Sequence, residues 1–114
     1  MVTELSVKEM AEKMAADEPF IILDVREPME VDAVSITHDH VEHTPMSRLA
    51  REGTAALSEA AQDKDANIYV MCHHGNRSAQ VANWLAQQGW NHIYNVTGGI
   101  DAYARQVDPS IGVY

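Results

Sequence analysis

"VMCHHGNRSAQVANWLAQQGW", residues 70–90, decides how this chain is read. An apolar strand runs into the only cysteine, Cys72; a short polar loop follows, and then Val81, Trp84 and Leu85 recur at helical spacing as core positions. A helix N-terminus presents unpaired N–H groups and a partial positive charge, so an anion is favoured there. His73 and His74 add donors that can carry a proton, and Arg77 adds a formal cation unless it turns back onto a carboxylate. Gly75 lets the backbone turn sharply so that successive amides can point inward, while Asn76 and Ser78 can close the loop by bonding backbone groups. Each of these influences favours thiolate over thiol. Read alone, Cys72 is equally well an inert buried strand residue. Five polar or turn-forming successors weigh against that reading.

Outward from this stretch the chain alternates strands and helices. Ser6 to Glu9 has the spacing of a capping box, and the periodicity of Val7, Met10, Ala11 and Met14 predicts a helix over 7–16. Phe20 to Leu23 is a continuous apolar run suited to a strand buried on both faces, and Pro28 suits the first position of a short helix. Residues 34–44 are ambiguous, with Val41 a seed for a short strand. "PMSRLAREGTAALSEAA" reads as one or two helical pieces broken near Gly53. "NIYVMC" is a second strong strand, 77–88 a helix ended by Gly89 with Trp90 packed against it, "HIYNV" a third strand, "TGG" a turn and "IDAYARQ" a last helix. Pro109 marks an irregular tail over 105–114. This order predicts one α/β domain over 1–114 with a parallel sheet covered on both faces, its ligands gathering beyond the carboxyl ends of the strands. Two segments lie there: Asp24–Glu27 and Cys72–Arg77. Asp24, Arg26 and Glu27 read as a local ion pair supporting the turn, or as groups that orient the loop; Gly98 and Gly99 read as a tight turn near the pocket rim.

The 114 residues suffice for one domain that buries about two-thirds of its unfolded surface. Seventeen acidic against eight basic residues give a net charge of −9, which repels phosphate backbones and argues against nucleic acid as a partner. One cysteine forms no internal disulfide and suits a reducing compartment. The N-terminus has early acids and no apolar core of a signal peptide, and no run approaches membrane-spanning length, so the expectation is a cytoplasmic protein without a membrane partner.

"CHHGNRS" resembles the active-site loop of single-domain rhodaneses, a sulfurtransferase family. "IILDVREPMEVD" resembles the family's first strand with its Asp-Val-Arg-Glu turn, "TPMSRL" its Ile-Pro-Leu/Met-Ser segment, and residues 78–110 its loop helix, next strand, Gly-Gly turn and closing helix. The resemblance implies a three-layer α/β/α domain with a central, mostly parallel sheet of about five strands. It further implies a covalent sulfur shuttle with no cofactor: Cys72 takes the outer sulfur of a small anionic donor such as thiosulfate as a persulfide, then yields it to cyanide, a small thiol or an acceptor protein. His73, His74, Gly75, Asn76, Arg77 and Ser78 would cradle the anion, with Asp24, Arg26, Gly98 and Gly99 in support.

Three other readings are distinguishable. A cysteine-dependent phosphatase or arsenate reductase shares the fold, but the dual-specificity phosphatases carry C-x5-R where this chain has C-x4-R, a tighter ring suited to a sulfur atom. A non-catalytic module commonly lacks the cysteine that this chain retains. "HDHVEH" departs from the family, and its H-x-H-x-E-H spacing makes His38, His40 and His43 candidate metal ligands. That segment has no second ligand set, and an exposed polar loop accounts for it more simply.

Overall fold

The computed structural model describes residues 2–16 and 18–114. Ten regular elements follow in order: β1 (Val2–Leu5), α1 (Val7–Ala15), β2 (Ile21–Asp24), α2 (Pro28–Ala33), β3 (Val41–His43), α3 (Met46–Glu52), β4 (Ile68–Met71), α4 (Asn76–Gln87), β5 (Ile93–Val96) and α5 (Gly99–Gln106). Short 3₁₀ turns occupy Gly53–Ala56, Ala60–Gln62 and Pro109–Ile111. The strands form one sheet in the order β1-β5-β4-β2-β3, and every adjacent pair is parallel. Helices cover both faces, giving the three layers.

The central strands β2 and β4 are buried along their whole length, and alternate side chains feed two cores. Ile21, Leu23, Ile68 and Val70 pack with Val81, Ala82 and Leu85 of α4 and with Leu49 of α3. Ile22, Tyr69 and Met71 point the other way, onto Met10 of α1 and Ile100 and Tyr103 of α5. Ser6 caps α1 through the reciprocal box: Glu9 N–H donates to Ser6 Oγ at 3.1 Å, and Ser6 N–H to Glu9 Oε1 at 3.1 Å. Trp90 is buried after Gly89, its indole N–H donating to the Ala61 carbonyl at 2.9 Å. Among the described residues no helix is long and apolar enough to cross a membrane.

The structure departs from the sequence reading at the chain's ends. β1 was not marked by any pattern, because this edge strand buries only Leu5. The tail expected to be irregular over 105–114 is partly helical. α5 runs to Gln106, Asp108 caps the Pro109 turn by accepting from Ser110 N–H at 3.1 Å, and Val107 and Ile111 pack against the core.

Parallel register sets Asp24 beside Met71, so the segments after β2 and β4 emerge side by side at the carboxyl edge. The N-terminus of α5 closes onto the second of them. Ile100 N–H donates to the Cys72 carbonyl at 2.9 Å and Asp101 N–H to the His73 carbonyl at 3.0 Å. Gly99 sits between, at φ +61°, where a Cβ would overlap both of those carbonyl oxygens. Gly99→Ala therefore combines left-handed strain with a backbone clash and is expected to cost about 2–5 kcal/mol in denaturant unfolding.

Candidate active site

The sulfur of Cys72 occupies the place of a helix cap. Gly75, the residue before α4, has φ +102° and no side chain to cap with. Cys72 Sγ instead accepts from Gly75 N–H at 3.1 Å and from Ser78 N–H, the third amide of the helix, at 3.3 Å. A Cβ at Gly75 would press on Gly98 N at 3.2 Å, so this turn needs glycine for space as well as for its dihedral. The cysteine is 1 % exposed and belongs to the apolar cluster beneath the sheet, yet its sulfur faces these two amides.

A buried chain of hydrogen bonds backs the sulfur. Cys72 Sγ lies 3.3 Å from Ser78 Oγ, which donates to Asn95 Oδ1 at 2.6 Å. Asn95 Nδ2 donates to the Glu4 carboxylate at 3.1 Å and to the Gly75 carbonyl at 3.3 Å. Because a carboxylate only accepts, Glu4 fixes which end of the Asn95 amide faces Ser78. Ser78 thus serves through its hydroxyl and its amide rather than by closing the loop onto other backbone. Asn76 is exposed at the start of α4, and among the described residues its side chain makes no hydrogen bond.

The charged groups around the loop are largely committed to one another. Arg77 turns onto a carboxylate, donating through Nη1 and Nη2 to Glu30 Oε2 and Oε1 at 2.7 and 2.8 Å. Arg77 holds the Glu30 carboxyl down at about 2. Asp24 and Arg26 form a buried pair, with Arg26 Nε and Nη2 reaching Asp24 at 3.0 and 2.7 Å. Arg26 Nη1 also donates to the carbonyls of Glu30 and Val34, which ties α2 to the site edge. Glu27 bonds Ser47 on α3. Burial, helped by the nearby His74, lowers the pKa of His73 and so disfavours a positive charge on its ring. His74 is exposed, 4.0 Å from Asp101. Gly98, at φ +77°, precedes α5 at the turn beside the loop.

Four participants lie outside the sequence reading of the site. Glu4 comes from the unmarked edge strand, and Asn95 from the interior of β5. Glu30 lies in α2, and its spacing after Pro28 marks only a capping role: it accepts from Glu27 N–H at 2.9 Å. Tyr114 returns from the tail, its ring stacked 3.8 Å from that of His73 and its hydroxyl between Arg26 Nη1 at 3.2 Å and Glu30 Oε1 at 3.1 Å. No local motif marks any of them as site residues.

The candidate metal ligands His38, His40 and His43 do not form a ligand set. His38 and His40 pack their rings against Phe20, while His43 Nε2 is tied to the Arg26 carbonyl at 2.7 Å. The histidine spacing here serves edge packing and a β3-to-turn link. An apolar groove of about 390 Å³ lies elsewhere, between Leu49 of α3 and Val81 and Trp84 of α4.

A family model described as "Rhodanese-like domain" matches residues 6–106. The chain is 39% identical over 117 residues to "Rhodanese-like/PpiC domain-containing protein 12, chloroplastic" of Arabidopsis thaliana, covering 99% of this chain but only 38% of that protein. It is 32% identical to a sulfurtransferase of Allochromatium vinosum, over 97% of this chain and 96% of that one. Among solved structures, a Staphylococcus saprophyticus protein superposes with a TM-score of 0.74 at 28% identity, over 93% of this chain and 97% of that chain. A rhodanese-related protein from Thermoplasma volcanium gives 0.68 at 32% identity, over 98% and 95%.

The Glu30–Arg77 pair makes stability depend on pH. A carboxyl held at about 2 instead of 4.5 contributes fully above 4.5, and the contribution fades as pH falls through the folded value. Glu30→Gln is expected to lose about 1–3 kcal/mol near neutrality. Urea titrations across pH should show the two proteins converging as pH drops from 4.5 toward 2.

Proposed function

Because this chain belongs to the rhodanese-like domain family, we propose that it is a sulfurtransferase in which Cys72 carries sulfur as a persulfide. The observation that carries this reading is the Cys72 sulfur held on the Gly75 and Ser78 amides at the start of α4. Such donors stabilise sulfur anion before attack, and they remain in place when the thiolate leaves again.

In the first step the Cys72 thiolate attacks the outer sulfur of thiosulfate. A new S–S bond forms, the donor's S–S bond breaks, and sulfite departs with the electron pair. In the second step a thiophile such as cyanide, a small thiol or an acceptor protein attacks the terminal sulfur and the thiolate is regenerated. Splitting one transfer into two displacements is covalent catalysis. With Arg77 paired to Glu30 and burial disfavouring a charge on His73, amide donors rather than a cationic patch do the work at the sulfur. Donor charge is then a minor part of recognition, and a persulfide-bearing donor suits the site as well as thiosulfate.

Mass spectrometry of the intact protein tests this. After incubation with thiosulfate or a small persulfide, the wild type is expected to gain the mass of one sulfur atom, removable by a reducing thiol. Cys72→Ser should gain none while remaining folded, since a serine oxygen can accept the same two amides. A folded wild type that takes up sulfur from no sulfane donor, or an adduct that persists in Cys72→Ser, would overturn the proposal.

A further inference from the structure

We propose that His73, His74 and Asp101 form a binding site for a divalent transition-metal ion of the zinc class. Each of the three offers one ligand atom, and these atoms lie within 4.8 Å of one another. Backbone geometry brings the set together. Asp101 lies in the first turn of α5, and its N–H donates to the His73 carbonyl at 3.0 Å, so the carboxylate is anchored beside the two imidazoles. His74 Nε2 stands 4.0 Å from Asp101 Oδ2. The docking that shapes the cysteine loop therefore also preorganises this cluster.

A second observation is independent of the clustering. His73 Nε2 is buried and has no hydrogen-bond partner among the described residues. Its ring is sandwiched, 3.8 Å from the ring of His74 and 3.8 Å from that of Tyr114. Buried polar nitrogens are nearly always paired, and an orphan calls for an occupant. The Asp101 partner on its own helix, Arg105 at 3.0 Å, is 63 % exposed and free to swing away. His74 is 59 % exposed and free to rotate inward, which the contraction to metal–ligand bonds of about 2.0–2.2 Å requires.

The donor set selects the ion. Two imidazoles and one carboxylate, with positions left for water, suit zinc, copper or nickel and not the all-oxygen preference of magnesium or calcium. The net charge of −9 favours cations in general. An ion here would draw His73 and His74 away from any substrate approaching Cys72, so occupancy and sulfur transfer would compete.

The site makes no use of the Cys72 thiol, which allows it to be tested apart from sulfur transfer. Tag-free Cys72→Ser protein is titrated with zinc by calorimetry. The expected result is one ion per chain, with His74→Ala and Asp101→Asn each weakening binding by at least about tenfold, since losing even an outer partner of a ligand commonly costs that much. The double variant His38→Ala/His40→Ala should bind as tightly as its parent. If Asp101→Asn fails to fold, the exposed His74 carries the comparison alone. Absence of saturable binding, or affinity unchanged by His74→Ala, or affinity lost in the His38/His40 variant, overturns the site. A protein that binds zinc but forms no persulfide would leave this site standing and remove the proposed function.

Discussion

The contact on which the site depends is the docking of the α5 N-terminus against the carbonyls of Cys72 and His73. A loop that turns its amides inward must turn carbonyls outward, and those need partners of their own. Ile100, Asp101 and the Asn95 amide supply them, and the Gly75 and Ser78 amides are left for sulfur. One helix end thus satisfies the loop's acceptors while another presents donors. Only a residue without a Cβ at position 99 permits that approach, which makes a turn remote from the cysteine in sequence a condition for the cysteine's surroundings.

A second constraint is charge. Around Cys72 the chain gathers Arg26, Arg77, Asp24, Glu30 and Glu4, and most of their hydrogen-bonding capacity is spent on each other or on backbone. Buried ions are costly unless paired, so the rim is stiffened by ion pairs instead of being left positive. Tyr114 joins Arg26, Glu30 and His73 into one surround, linking the tail, α2 and the cysteine loop. The net effect is a sulfur that meets two fixed amide dipoles at short range inside a rim of paired charges.

The fold was legible where burial writes a continuous or periodic pattern. Phe20 to Leu23 and Ile68 to Met71 are apolar because both faces are covered, and the capping box at Ser6 appears as expected. Edge strands were harder: β1 buries one residue of four, and β3 has three residues, none fully buried. The 34–44 segment illustrates the same limit from the other side. Its histidine spacing suggested ligands, but tilted and edge-on packing against Phe20 and a bond to the Arg26 carbonyl, both long-range, claim those rings.

Sequence alone determined the α/β class and the family resemblance, and it singled out Cys72 and the loop that follows it as the candidate site, because these rest on local order: strand, thiol, glycine turn, helix. It left Arg77 undecided between an incoming anion and a carboxylate. Tertiary structure decided that, since Glu30 lies 47 positions earlier and no local pattern reports which acid will face a given guanidinium. The same holds for Glu4, Asn95, Asp101 and Tyr114. Each reaches the loop through parallel register or chain return, and such partners are chosen by the packing of the whole sheet.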